Sequence, residues 1–181
     1  MRTSELLIAK FVEAGDHADG VMVAAYPNES TLRAIKAFVK KLKLNDPLDG
    51  DKLHLTLRYF KKADYKDFDK LKRWLDSHVK FSRSKTNGKG IKLKTLGKDE
   101  SAKHLVLIIE SDSIKELQEK LDKGMQELGV PKSEFPEFLP HITLEYDFKG
   151  EIPEEVPDID IGISAIKLAH DDEILWEYDG N

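Results

Sequence analysis

The chain has 181 residues, of which 40% are hydrophobic and 35% charged, with a formal net charge of −5 and no cysteine. This length predicts one domain with a single buried core. The lack of cysteine excludes disulfides and thiolate catalysis in this chain and favours a reducing compartment, so we expect a cytoplasmic protein. The acidic charge argues against binding to an extended nucleic acid, whereas a small anion can still bind because the local field decides.

Neither a signal peptide nor a membrane-spanning segment is indicated by the sequence. Its apolar runs are short, whereas a spanning helix needs about 20 apolar residues. We therefore expect no membrane contact. An amphipathic pattern over residues 1–18 predicts a separate helical extension at the N-terminus.

Hydrophobic periodicity and turn residues predict the elements of the first half. A polar, glycine-containing loop over residues 82–90 is expected between short strands near 79–81 and 91–96. Four elements are predicted before this loop. They are a buried strand over 20–26, a helix from a cap at Asn28 or Ser30 to about Leu44, a strand over 53–60 and a helix from about Tyr65 to Val79.

The second half repeats the order strand, helix, strand. It predicts a strand over 104–110, a helix from a cap at Asp112 or Ser113 to about Leu128, a strand over 138–148, and two final strands over 160–169 and 173–178. The repeat indicates a weak internal duplication. We therefore predict an α+β fold over residues 19–181, a single bilobed domain with pseudo-two-fold symmetry in which antiparallel sheets line a central cleft and helices lie outside.

Two short segments, one in each half, share the pattern His-apolar-Thr-Leu. They are His54-Leu55-Thr56-Leu57 and His141-Ile142-Thr143-Leu144. Because alternate side chains of a strand point to the same face, each segment presents an imidazole beside a hydroxyl. If the two strands are neighbours, two histidines and two hydroxyl donors converge on one small group, for which a phosphodiester is the natural guest.

Phosphodiester cleavage needs one group that removes a proton from the nucleophile and another that gives a proton to the leaving oxygen. Histidine, with an ordinary pKa of about 6.5, can do either. The hydroxyls of Thr56 and Thr143 can donate to the non-bridging oxygens. We therefore predict His54, Thr56, His141 and Thr143 as catalytic residues that require no metal or other cofactor, and the sequence leaves open which histidine is the acid.

The strand period of two places one more charged residue beyond each motif on the same face, if neither strand contains a bulge. Arg58 would then contact a phosphate oxygen. Glu145 would orient a histidine or accept a hydrogen bond from a base edge, because a carboxylate beside a phosphate is otherwise repulsive. Both residues are predicted to reach the cleft.

At these residues the sequence resembles the 2H phosphoesterase superfamily, whose signature is a pair of His-x-Thr/Ser motifs in a duplicated, bilobed α+β fold. The first motif is also similar to that of the bacterial RNA 2′,3′-cyclic phosphodiesterases. The second motif continues with Glu145-Tyr146-Asp147, where that branch has a small residue and then arginine.

A closer resemblance, over most of residues 20–181, is to the phage-encoded anti-CBASS phosphodiesterases. Residues 51–59 and 139–147 carry it, together with a strand that ends in Tyr26 before a helix. The resemblance implies metal-independent cleavage of cyclic di- and trinucleotide immune signals in the host cytoplasm. It also implies that Tyr26 stacks on a base, that Glu173 contacts a base or supports a histidine, and that Trp176 lies beside the pocket.

Two other functions remain open at this point. The first is an RNA-processing enzyme that acts on 2′,3′-cyclic phosphate or 2′-5′ linked ends, so the partner is either a cyclic oligonucleotide or an RNA end. The second is an inert module that binds such a nucleotide without turnover. The sequence does not specify an oligomeric state.

Overall fold

The computed structural model of the chain describes residues 19–97, 103–132 and 137–181. The predicted N-terminal helical extension over residues 1–18 lies outside these ranges. The described residues form three α-helices, which are α1 (Glu29–Leu42), α2 (Phe68–His78) and α3 (Asp112–Leu128). They also form seven strands, which are β1 (Gly20–Pro27), β2 (Leu55–Lys61), β3 (Asn87–Leu96), β4 (His104–Glu110), β5 (His141–Glu145), β6 (Ile159–His170) and β7 (Glu173–Asp179).

Local capping sets the ends of the two helices that precede the motifs. The Asn28 side chain caps α1, as one of the two predicted options, by accepting from the backbone N–H of Thr31 at 2.9 Å. For α3 the predicted caps Asp112 and Ser113 are wrong by one or two positions. Ser111 is the cap, because its extended backbone at the end of β4 lets its hydroxyl accept from Ile114 at 3.0 Å.

The seven strands form one open antiparallel sheet in the order β2-β1-β6-β3-β4-β5, with β7 also paired to β6. Strand β6 is shared between two lobes. Its first residues, Ile159–Gly162, pair with β3, and its remainder pairs with β1 and β7. The α+β class and the two antiparallel lobes agree with the prediction.

The two faces of the sheet carry different apolar clusters. The main core lies on the face that the helices cover, and it includes Val21, Val23, Leu55 and Leu57. The opposite face carries two small clusters, one of Met22, Ala24, Tyr26 and Ala169 in the first lobe, and one of Leu96, Val106 and Ile108 in the second. We call this opposite face the cleft face.

Several predicted boundaries differ from the structure, three of them near the sheet strands. Residues 79–81 form no strand, because the backbone of Phe81 accepts from the N–H of Asn181 at 3.2 Å outside the sheet. The predicted 82–90 loop is shorter, since β3 begins at Asn87 and pairs there with Gly162. The second motif strand spans only His141–Glu145.

Candidate active site

Both His-x-Thr motifs present their side chains on the cleft face. Thr56 pairs across the sheet with Ala24, and Thr143 pairs with Val106, so each threonine shares the face of a small cluster. His54 directly precedes β2, and His141 begins β5 opposite Ile108. Because β2 and β5 contact each other, the structure brings the two motifs together in one cleft.

His54 lies deep in this cleft. Burial lowers the pKa of His54 to about 4, the positive charge of His141 acts in the same direction, and the carbonyl of Lys52 opposes both. The ring of Tyr26 lies 5.9 Å from that of His54, between ring centroids. Nδ1 of His54 is buried and has no hydrogen-bond partner of good geometry among the described residues. His54 is therefore neutral at pH 7.

His141 is held by its own backbone. Its Nδ1 lies 2.7 Å from the carbonyl oxygen of Leu139, two residues earlier in the chain. A carbonyl oxygen can only accept, so Nδ1 carries the proton and Nε2 is the nitrogen that gains or loses one. Lys52 stands two residues before His54, as Leu139 stands two residues before His141, and its carbonyl acts on the His54 imidazole.

Both threonine side chains lie on the cleft face. Oγ1 of Thr56 donates to the sulfur of Met22 at 3.8 Å, a weak acceptor that an anionic oxygen would outcompete. Both Thr56 and Thr143 are partly exposed. The four side chains that were predicted to be catalytic therefore lie at one cleft.

Each motif strand contains a bulge directly after its threonine. The register shifts so that Leu57 has no partner in β1 and Leu144 has none in β4. A bulge reverses the alternation of the side chains that follow it. The prediction that Arg58 and Glu145 reach the cleft is therefore wrong, and both are turned to the core face.

Arg58 is 2% exposed and bonds across the core. Its Nε donates to the Asp122 carboxylate at 2.8 Å, and its Nη2 donates to the carbonyl of Pro131 at 2.6 Å. Glu145 is also 2% exposed, and it accepts from the backbone N–H of Asp46 at 2.5 Å. Neither side chain faces the cleft.

A pocket of about 310 Å³ opens beside His54 and is lined by Tyr26, Asp51, Lys167 and Glu177 among others. The Nζ of Lys167 lies 4.5 Å from the centre of the Tyr26 ring. Burial, with the negative charges of Asp51 and Glu177, raises the pKa of Tyr26 to about 12. The phenol is therefore neutral, and its ring is the aromatic surface of the pocket.

Glu173 and Trp176 are not in this pocket, contrary to the prediction. A bulge at Leu175 separates the two ends of β7. Glu173 pairs with His170 on the core face, and Trp176 donates to the Asp76 carboxylate of α2 at 3.4 Å. The acidic residue of β7 that does line the pocket is Glu177, whose pKa is raised by a hydrogen bond with Asp179 and by burial.

Three lysines of the cleft face were missed by sequence reasoning. Lys167 extends the row of Thr56 and Ala24, and Lys94 extends the row of Thr143 and Val106. Lys92 lies one row away from Lys94, opposite Ile108 and so two strands away from His141 in the same row. The signal that could have found them is their alternation with buried Leu93 and Leu168, but only the strand register shows which strands they flank.

Two further features of the described residues bear on the site. A larger cavity of about 660 Å³ lies between α2 and α3 around Trp74 and Gly124, and the four motif side chains do not line it. Within the described residues, no group of three or more histidine or carboxylate side chains is placed to hold a metal ion. The same residues include no helix long and apolar enough to cross a membrane.

A family model described as "Anti-CBASS protein Acb1" matches residues 19–176 of the chain. The chain belongs to the Acb1 family. The match covers both His-x-Thr motifs and both lobes, so it confirms the resemblance to anti-CBASS phosphodiesterases within the 2H phosphoesterase superfamily. This Acb1-family protein is an enzyme of the phosphodiesterase type.

Solved structures of other proteins share the fold of this Acb1-family chain. TT0787 of Thermus thermophilus matches with a TM-score of 0.68 at 15% identity, over 88% of this chain and 97% of its own. LigT of E. coli complexed with 3′-AMP matches with a TM-score of 0.60 at 17% identity, over 90% and 98%. A structure titled phosphoesterase matches with a TM-score of 0.62 at 16% identity, over 91% and 99%. At these identities the likeness shows the fold.

Proposed function

We propose that this protein cleaves the 3′-5′ linkages of cyclic di- and trinucleotide immune signals, by two-histidine acid–base catalysis that uses no metal. The observation that carries the proposal is the convergence of two His-x-Thr pairs on one cleft face, close enough for the charge of His141 to act on His54. The membership of the Acb1 family supports the substrate class. The proposed place of action is the cytoplasm of a phage-infected host.

The environments of the two histidines suggest a division of labour. His54 is neutral at pH 7 because burial disfavours its charged form, so it suits the general base that takes the proton of the attacking oxygen. His141 carries a proton on Nδ1, and a second proton on Nε2 would pass to the leaving oxygen as its bond to phosphorus breaks. The two threonine hydroxyls stabilise the charge on the non-bridging oxygens.

The pocket beside His54 is proposed to hold one nucleobase. Its volume of about 310 Å³ and the Tyr26 ring suit a flat aromatic ligand. The carboxylates of Glu177 and Asp51 repel a phosphate but accept hydrogen bonds from the exocyclic amine of a base. Tyr26 therefore keeps its predicted stacking role, and Glu177 takes the role that was predicted for Glu173.

The phosphates of the substrate are proposed to lie along the cleft-face lysines. Lys167 and Lys94 each stand two strands away from a motif threonine, on opposite sides of the cleft. A cyclic oligonucleotide carries at least two phosphates, whereas an RNA end reacts at one. Cationic side chains in both lobes therefore favour the cyclic substrate.

The deciding experiment incubates the purified protein, with excess chelator, against a panel of cyclic di- and trinucleotides and an RNA that ends in a 2′,3′-cyclic phosphate. Products are followed by mass spectrometry beside the His54→Ala, His141→Ala double variant. Cleavage of the cyclic signals by the wild type alone supports the proposal.

The other outcomes each identify a different function. Cleavage of the RNA end alone makes the protein an RNA-processing enzyme of the same superfamily, and the solved LigT complex with 3′-AMP makes that the second candidate. Tight binding of a cyclic nucleotide without any product makes it a binding module. Activity that the chelator abolishes contradicts the metal-free mechanism.

A further inference from the structure

Two buried polar side chains join the halves of the molecule in a reciprocal way. Arg58 lies on the first motif strand, and it bonds to Asp122 of α3 and to the carbonyl of Pro131, which follows α3. Glu145 lies on the second motif strand, and it bonds to the N–H of Asp46, which follows α1. Strand β2 of the first half therefore bonds to the segment that follows α3, and strand β5 of the second half bonds to the segment that follows α1.

These segments lead directly to the catalytic histidines. The chain runs from Asp46 to His54 in the first half and from Pro131 to His141 in the second. The carbonyl of Leu144 also accepts from the N–H of Leu48 at 2.8 Å, so β5 makes two hydrogen bonds to the segment between Asp46 and His54. A shift of β5 would therefore move the segment that runs into His54, and a shift of β2 would move Pro131, which precedes His141 in the chain.

The symmetry of the arrangement argues against a chance packing detail. Arg58 and Glu145 occupy the same place in the two motifs, one residue after the bulged leucine, and both are 2% exposed. An arginine fork and a carboxylate are costly to bury unless they are hydrogen-bonded, so an apolar residue would be the simpler choice for a core. The two bulges serve to turn these side chains from the cleft into the junction.

We propose that Arg58 and Glu145 are matched positioning residues, which set the spacing between His54 and His141 by tying each motif strand to the chain that leads into the opposite histidine. The proposal rests on the proposed function, because it takes the two histidines to act together. Neither side chain touches the substrate. Their loss should therefore lower kcat and leave KM nearly unchanged.

The test compares Arg58→Met, Glu145→Leu and their combination with the wild type, by kcat, KM and thermal unfolding. A misplacement of about 1 Å at reacting groups can cost about 100-fold in rate, so each single variant is expected to lose about 10-fold to 100-fold in kcat. Because both act on one spacing, the double variant should lose little more than the worse single one. Glu145→Gln keeps the acceptor for Asp46 and should retain most of the activity.

A matched control separates positioning from stability. Ser111 caps α3, is 5% exposed and donates to the Asn87 carbonyl, but it lies at the far end of α3 from Asp122. Ser111→Ala should lower the Tm and leave kcat unchanged when measured well below that Tm. The proposal is overturned if Arg58→Met and Glu145→Leu lose no more kcat than Ser111→Ala, or if their losses multiply as independent effects.

A second measurement keeps the test valid if a variant folds poorly or if the wild type proves inactive on every substrate. The pKa of His54 is measured by NMR in three folded proteins, which are wild type, Glu145→Gln and Arg58→Lys. The measurement is repeated after His141→Gln is added to each, and the change in the His54 pKa is the coupling between the two histidines. Arg58→Lys, which keeps the charge but not the fork, should weaken that coupling, and Glu145→Gln should preserve it. If the coupling is equal in all three proteins, the positioning proposal is contradicted. If Arg58→Lys alters the coupling but the wild type cleaves no substrate, only the proposed function is contradicted.

Discussion

The two lobes repeat one chemistry but differ in what surrounds it. Both carry a histidine turned toward the carbonyl two residues earlier, a threonine on the cleft face and a bulge that follows. The first lobe adds a pocket with the Tyr26 ring and Glu177, whereas the second has aliphatic Ile108 at the position that corresponds to Tyr26. Under the proposed function, the groups for proton transfer are repeated in both lobes, whereas the pocket for a base is present in the first lobe.

Substitution of the two histidines is expected to have the largest effect on activity, and it should show that the two lobes play different roles. His54→Ala and His141→Ala should each lower kcat by about 10³-fold or more, in line with the loss of a general base or acid. With a nitrophenyl phosphodiester, whose leaving group needs no proton, His141→Ala should recover much of its activity and His54→Ala should not. Recovery of His54→Ala instead would reverse the proposed roles.

The next largest expected effect is the dependence of the free energy of unfolding on pH. The folded state holds His54 neutral with a pKa of about 4, below its ordinary 6.5, so the unfolded chain binds the extra proton more readily in this window. The free energy of unfolding should fall by about 2–3 kcal/mol as the pH falls from about 6.5 to 4. Chemical denaturation at several pH values should show this slope flattened in His54→Gln and kept in His78→Gln, a substitution on the surface of α2. An unchanged slope in His54→Gln would contradict the buried, neutral state.

Base recognition is expected to depend on one end of β7. Glu177→Gln should lower kcat/KM about tenfold for signals whose base offers an exocyclic amine, because it weakens a hydrogen bond to a charged acceptor. Glu173→Gln, on the opposite face of the same strand, is the matched control and should change nothing. Steady-state kinetics on adenine- and uracil-containing cyclic dinucleotides would test this, and equal effects of the two variants would remove the pocket from the proposal.

The cleft-face lysines give the smallest expected effect. Lys94→Ala and Lys167→Ala should each raise KM about threefold to tenfold and weaken its dependence on salt, as for the loss of one charge-assisted contact. Lys89 is already paired with the carboxylates of Asp158 and Asp160, so its charge is balanced within the protein and Lys89→Ala is the control. If only Lys167→Ala changes KM, the substrate uses one lobe alone.

Local patterns in the sequence were enough to predict the helices and to find the two His-x-Thr pairs that the structure brings into one cleft. Apolar alternation and capping residues located every helix and every strand that carries a motif, because these signals act over a few residues. Face assignments failed wherever a bulge intervened, at Leu57, Leu144 and Leu175, so Arg58, Glu145, Glu173 and Trp176 were placed on the wrong side. Nothing in the residue types of those strands marks the extra residue.

The missed lysines show a second reason why the sequence alone does not predict the whole site. Lys92, Lys94 and Lys167 reach the cleft only through the pairing of β3 and β6 with strands far away in the chain. Register between distant strands is a tertiary property, and a shift of one residue would send all three side chains to the other face.

The sharing of β6 between the lobes also affects how the chain can fold during synthesis. Strand β1 lies between β2 and β6, and its partners in β6 extend from Ile163 to His170, far beyond β1 in the sequence. Until these residues leave the ribosome, one long edge of β1 stays unpaired and able to bind another nascent chain. Completion of the first lobe therefore waits for the synthesis of β6, and we expect chaperone protection of β1 to raise the yield of folded protein.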